Sequence, residues 1–193
     1  MKKKIIVGIS GASGAIYGLR LLEALKAVGS IEIYLTISQT GKTLLHDEIA
    51  DNALDHAIRL ADHYYETHEL GAPIASGSFL TDGMIIAPCS AKTLAAIANG
   101  FGDNLLSRAA DVALKERRRL VLLLRETPLH LTHIENMAQV TKMGGIMLPP
   151  VPAFYHRPAS IDDIVNHSIG KALDLFEIEH NLYKRWDGLK AES

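Results

Sequence analysis

One cysteine, Cys89, stands among 193 residues, and a lone thiol makes no internal disulfide. That excludes a disulfide-stapled secreted scaffold and suits a reducing cytoplasm. Charge of one sign is missing too: 20 Lys and Arg against 22 Asp and Glu leave a formal net charge of -2. Such a balance argues against a nucleic-acid surface. Arg117-Arg118-Arg119 is too short a run to reverse this, and it reads as cations at a helix C-terminus, where the dipole favours them. No apolar run is long enough to span a membrane. Met1-Lys2-Lys3-Lys4 ahead of apolar residues imitates a signal peptide, but Gly8, Ser10 and Gly11 end the stretch too soon. Repeats and low-complexity linkers are absent, so the chain reads as one domain over residues 1–193, with 182–193 a polar C-terminal tail around Trp186.

Two nucleotide signatures are absent as well. A dinucleotide site wants G-x-G-x-x-G and an acid at the end of the second strand; here the glycines at 8, 11 and 14 are spaced by three and that strand ends on Ser38. Gly41-Lys42-Thr43 looks like the tail of a P-loop, but Thr36 stands where its first glycine is required. ATP binding is rejected on that ground. Metal sites fare no better. His130 and His133 have no third ligand at a fitting spacing and read as solvated or capping residues. Asp162-Asp163 resembles the magnesium-carrying aspartates of diphosphate-using prenyl enzymes, yet Asn166 breaks the pattern, and Ser160 with Asp163 reads as a capping box. Cys89 reads as a small buried hydrophobe rather than a nucleophile.

What is present starts at Val7-Gly8-Ile9-Ser10-Gly11-Ala12-Ser13-Gly14-Ala15, a glycine- and hydroxyl-rich turn between an apolar strand and an amphipathic helix carrying Ile16, Leu19, Leu22, Leu25 and Val28. Free amides at that helix N-terminus are expected to hold a phosphate, the alternative being a tight βα turn with no ligand. With 48% hydrophobic residues the chain can bury a full core. Strands are expected near 5–9, 31–37, 83–87, 119–124 and 145–148, separated by helices, which gives an α/β fold: a single-domain, doubly wound, mainly parallel sheet. Ligands in such sheets sit beyond the carboxyl ends of the strands. The loops there are polar: Ser10 to Gly14, Ser38, Pro88 to Thr93, Arg125-Glu126-Thr127 and Pro149 to Pro152. Arg108 and Lys115 lie seven apart on one expected helix, projecting the same way about 10 Å apart along its axis. They read equally as an anion clamp or as a charged outer face in which Asp111 pairs with Lys115 at i, i+4.

The motifs resemble those of UbiX-type flavin prenyltransferases, including the relatives associated with phenolic-acid decarboxylases, from about Lys4 to Trp186. The matching segments are Gly8 to Gly14 with Tyr17 to Leu22, Ala75 to Phe79, Pro88-Cys89-Ser90, Arg108 to Arg117, Arg125 to Leu129, and Pro152 to Pro158. The resemblance implies a Rossmann-like flavoprotein with reduced FMN near Gly11, Ala12 and Ser13, at Ser38, along Ser90, Ala91, Lys92 and Thr93, and at Arg125. It implies a second substrate, dimethylallyl phosphate, met by Tyr155, Lys171, Arg108 and Lys115 without a metal ion. Lys171 departs from the arginine of many relatives, and a point charge does not hold phosphate as a planar fork does. The implied reaction joins the dimethylallyl C1 to flavin N5 and closes a ring onto C6. Glu48 and Glu126 match carboxylates of the family site, Ser13 positions N5, and Lys115 faces the departing phosphate. The product, prenylated FMN, serves a UbiD-type decarboxylase, and relatives form dodecamers, so a homododecamer is expected. Three other readings stand beside this one. A cysteine decarboxylase shares the Pro-x-Ser-Ala-x-Thr loop, but its Pro-x-Met-Asn-x-x-Met-Trp signature is absent; the others are a non-enzymatic FMN carrier and a direct aromatic-acid decarboxylase.

Overall fold

The computed structural model describes residues 2–188; the last five residues of the expected tail lie outside the described residues. The strands are β1 (Lys3–Ile9), β2 (Ile31–Ile37), β3 (His63–Glu66), β4 (Gly83–Cys89), β5 (Arg119–Leu124) and β6 (Ile146–Met147), and near-continuous apolar runs make the central four, β1, β2, β4 and β5. All pair in parallel, in the order β3-β2-β1-β4-β5-β6. Such strands must be covered on both faces. The side-chain alternation shows this in each central strand. Ile5, Val7 and Ile9 enter one apolar cluster and Ile6 the other; Ile85 and Ala87 divide likewise from Met84 and Ile86.

The first cluster takes the buried stripes of α1 (Ala15–Val28), α3 (Ala53–Leu60) and α7 (Ile161–Asp174), with Leu45 of α2 (Gln39–Glu48). On the second face lie α4 (Ala91–Ala98), α5 (Leu105–Lys115) and α6 (Leu131–Lys142). Ser160 Oγ accepts from the Asp163 amide at 3.2 Å and Asp163 Oδ2 accepts from the Ser160 amide at 3.0 Å, so the expected capping box opens α7. Asp162 pairs with Arg20 of α1 at 2.9 Å, which ties the two helices together.

Two expectations need correction. The edge strand β3 reads His-Tyr-Tyr-Glu, too polar and short to stand out by pattern; register with β2 and its place at the sheet edge make it a strand. Strand β4 runs two residues further than expected, through Pro88 and Cys89, past a register irregularity against β5. The arginine run closes a helix as expected: α5 ends at Lys115, Arg117 takes a left-handed φ of 56°, and the Arg117 and Arg118 amides donate back to the Leu114 and Ala113 carbonyls at 3.1 and 2.8 Å. Arg118 donates to the carbonyls of Gly77 at 2.6 Å and Phe79 at 2.8 Å, and Arg119 opens β5. The backbone of the run thus caps α5, while the Arg118 guanidinium braces a neighbouring loop.

Candidate active site

The sheet order reverses between β1 and β4, and the chain leaves these neighbours toward opposite faces. Their carboxyl ends therefore open a crevice. Two helices aim their N-termini into it. Ser38 Oγ accepts from the Gly41 amide at 3.0 Å to cap α2, and Ser90 Oγ accepts from the Thr93 amide at 3.2 Å to cap α4. Each cap satisfies one amide, while the other first-turn amides have no partner within their own helix and sit at a positive dipole end. They face a cavity of about 470 Å³ whose walls include Gly11, Ser38, Gln39, Thr40, Ser90, Ala91, Lys92, Thr93, Asn104, Leu106 and Glu126. One buried hydroxyl fixes the crevice. Ser10 Oγ accepts from the Ser90 amide at 2.7 Å and donates to the Pro88 carbonyl at 2.9 Å, binding the end of β1 to the turn before α4.

The N-terminus of α1, expected to hold a phosphate, is already engaged. Its N-cap is Gly14 at φ 99°, a left-handed conformation that glycine adopts without a Cβ penalty, and it brings no capping side chain. Glu48, from the last turn of α2, supplies the missing acceptor: Oε2 receives the Gly14 amide at 2.8 Å and the Ala15 amide at 2.9 Å. Burial works against the Glu48 charge, but the Ser13 hydroxyl, these two amides and the nearby Arg125 outweigh it and hold the carboxyl below its usual range. Among the described residues, the amides at this end of the sheet that no side chain takes up are thus the remaining ones of α2 and α4 rather than the first amides of α1. Ser13, Glu48 and Arg125 form one group beside the cavity. Ala12 is buried under the loop, its amide donating to the Ser10 carbonyl at 3.0 Å. Glu126 lines the cavity and accepts from its own neighbour, the Thr127 amide, at 3.0 Å.

The remaining candidates are not brought together within one protomer. Arg108 and Lys115 do share α5, but Asp111 pairs with Arg108 at 2.6 Å and Lys115 pairs with Glu116, so the expected Asp111–Lys115 pair is replaced. Arg108 also donates to the Ala75 carbonyl at 3.2 Å, and Lys115 lies against Gly77 near the start of β5. Tyr155 and Lys171 sit on the other side of the sheet with α7. Tyr155 Oη lies 3.1 Å from His167 Nε2, one helical turn from Lys171, beside a depression of about 410 Å³ lined by His156, Arg157 and Trp186. Pattern reading missed Gln39, Thr40, Thr67, Asp103 and Asn104 of the cavity. Asn104 had a legible signal, since Asp103-Asn104 before the apolar Leu105-Leu106 is an N-cap pattern, and its Oδ1 accepts from the Ser107 amide at 3.1 Å. Cys89 is fully buried and desolvation pushes its thiol up, as befits a core residue. His130 and His133 stack at 3.6 Å, and among the described residues no three His, Cys, Asp or Glu side chains group as metal ligands.

The model of the Flavoprotein family matches residues 1–173. Flavin prenyltransferase UbiX of Thauera aromatica is 55% identical over 185 residues, which cover 96% of this chain and 94% of that protein. The chain belongs to the UbiX flavin prenyltransferase family. Among solved structures, AnUbiX (PadA1) in complex with FMN and dimethylallyl pyrophosphate superposes with a TM-score of 0.95 at 45% identity, covering 98% of this chain and all of that one. A dodecameric FMN-dependent UbiX-like decarboxylase from Escherichia coli O157:H7 gives 0.93 at 46% identity, covering 96% of this chain and all of that one. The family fit also agrees with the crevice chemistry. A phosphate suits the ends of α2 and α4, Leu106 offers an apolar wall, and the volume falls in the range of about 300–1,000 Å³ usual for cofactor sites.

Proposed function

We propose that this chain transfers the dimethylallyl group of dimethylallyl phosphate to reduced FMN, making prenylated FMN for a UbiD-type decarboxylase. The observation that carries the reading is the convergence of two serine-capped helix N-termini on one cavity at the switch point, with Glu48, Ser13 and Arg125 grouped at its side. Reduced FMN supplies the nucleophilic N5 and the C6 position at which the new ring closes. Ser90 to Thr93 and Ser38 hold its phosphate end, and Gly11 to Ser13 with Arg125 flank its ring end. Glu48 stays ionised, fixed by the α1 amides, and the flavin C6 proton passes to Glu48, to Glu126 or to the released phosphate. Arg108, Lys115, Tyr155 and Lys171 are the cationic and hydroxyl donors for the departing monophosphate; charge-assisted donors hold such a group without a metal ion.

Since those four lie on two sides of one protomer's sheet, a complete site joins several copies, and the assembly is a homododecamer like that of the E. coli neighbour. The described residues contain no helix long and apolar enough to cross a membrane, and the single free thiol suits the cytoplasm. The relevant test mixes purified protein, reduced FMN and dimethylallyl phosphate under anaerobic conditions. A flavin heavier by one dimethylallyl substituent is expected, together with retention of FMN in preference to NAD, FAD or ATP. The protein alone is expected to leave a hydroxybenzoate intact; decarboxylation without a partner would replace this reading with the direct decarboxylase.

A further inference from the structure

Tyr155 is held by a ring cluster that the motifs do not announce. His167 of α7, 9% exposed, meets its Oη through Nε2 at 3.1 Å, while Tyr155 itself is 44% exposed. One end of the bond is thus anchored in the protein and the other faces outward. His156 lies parallel to His167, at 5.0 Å and 8°, and Tyr183 meets His167 edge-on at 4.8 Å. Both ring nitrogens of His156 are buried without a partner among the described residues, so His156 contributes a face rather than a hydrogen bond to His167.

A phenol has one proton to give. If that proton goes to His167, Tyr155 presents only lone pairs outward and repels a dianion. If instead His167 Nε2–H donates to Oη, the phenol proton is free for an anion in front. Which case holds depends on the imidazole tautomer. Burial, then the neighbouring His156 and Lys171, hold His167 below the ordinary histidine range against the opposing pull of Asp174, so the ring is neutral and either tautomer is accessible.

We propose that His167 is a positioning residue for the prenyl donor: its Nε2–H tautomer donates to Tyr155 Oη and turns the phenol proton outward onto an oxygen of the donor phosphate. This rests on the reading above, in which Tyr155 meets that phosphate. It assigns His167 no contact with the donor itself.

The test uses the assembled protein loaded with reduced FMN and measures kcat and KM for dimethylallyl phosphate. His167→Phe keeps the stacked ring and removes the donor; KM is expected to rise about tenfold, one charge-assisted hydrogen bond, with FMN retention unchanged. His167→Gln, whose amide N–H reaches the Nε2 position, is expected to restore most of the affinity. His167→Asn, which mimics the other ring nitrogen, is not. In a Tyr155→Phe background, His167→Phe is expected to add nothing, because the only route from His167 to the phosphate is gone. Additive losses in that double variant, an unchanged KM in His167→Phe, or equal behaviour of Gln and Asn would overturn the assignment. The Gln and Asn pair decides by itself if the Phe variant does not assemble. A wild-type protein that fails to use dimethylallyl phosphate removes the functional reading and this inference with it, whereas a competent wild type with additive variants removes the inference alone.

Discussion

Glu48 sits where an N-cap side chain would otherwise stand, and that placement joins stability to chemistry at a single carboxylate. Its Oε2 receives two amides of α1, so the charge is stabilised by the helix that the loop glycines begin. Glu48→Gln keeps an acceptor but loses the charge. It is expected to cost about 0.5–1 kcal/mol at pH 7, the low side of capping effects because the residue is exposed. The sign with pH follows from a folded carboxyl held below its usual range: the contribution is present above the unfolded value and fades as pH falls through the folded one. Denaturant unfolding is thus expected to separate wild type from variant at pH 7, and the difference is expected to shrink steadily as pH is lowered below the ordinary glutamate range. A difference that does not change along the acid series would show that the charge is not what α1 uses. Ser38 and Ser90 were legible in the sequence because each directly follows an apolar strand, at the carboxyl end where such sheets bind their ligands. Glu48 was legible only through family likeness, since its partners lie more than thirty positions away and no local pattern carries such a contact.

Elements transmit these placements through a few cross-links. Ser10 Oγ couples β1 to the turn before α4, and it is 1% exposed. Ser10→Ala leaves the Ser90 amide without that acceptor in a dry setting, with an expected cost of about 1–3 kcal/mol. The same change loosens the turn that carries Ser90 at the edge of the crevice, so weaker FMN retention is expected in the same variant by fluorescence titration. A loss of stability with unaltered FMN affinity would mean that the turn holds its shape through Ser90 and Thr93 alone. A second cross-link lies at the far end of α7. Asp174 accepts from Arg185 at 2.6 Å and Tyr183 at 2.6 Å and faces His180 at 3.1 Å. Although burial opposes the charge, the Arg185, Tyr183 and His180 contacts bring the Asp174 carboxyl down to about 2. Its hold on the segment after α7 is therefore fully present above about pH 4 and is lost as pH falls toward 2. Asp174→Asn is expected to raise amide exchange in residues 180–186 at pH 7 while that of β1 and β4 stays unchanged; retained protection in the segment would contradict the clasp. Of the elements, the central strands were readable from apolar runs buried on both faces. Strand β3 was not, because an edge strand needs one apolar face at most and takes its identity from pairing.

The whole molecule explains why four phosphate-facing candidates look scattered in one chain. Lys115 closes α5 near the start of β5, with Ala109 and Ala113 of that helix in one apolar cluster; Tyr155 rests on α7, whose Val165, Ile169 and Leu173 belong to the cluster on the opposite face. A six-stranded sheet stands between them. Motif order in the sequence cannot reveal that separation, because a motif names residues without saying which copy of the chain contributes them. Val151, Phe154, Ile161 and Trp186 expose apolar surface near Tyr155, and Leu129, Leu131 and Ile134 do so around α6, which is the material for contacts between copies. Light scattering at micromolar concentration is expected to give a mass well above that of one chain. Mixed assemblies make the sharper test. Lys115→Ala and Tyr155→Phe are each expected to lose one charge-assisted contact, roughly 1.5–3 kcal/mol, and so to turn over about tenfold or more slowly than wild type at limiting donor. Co-expressed in equal amounts, they assemble randomly, and if one site takes Lys115 and Tyr155 from different copies, about a quarter of the sites receive both intact residues. Recovery of roughly that fraction of wild-type turnover, with FMN content unchanged, is the expected result. If a single chain supplied both residues, every site in the mixture would carry one lesion or the other, and activity would stay at the level of the separate variants.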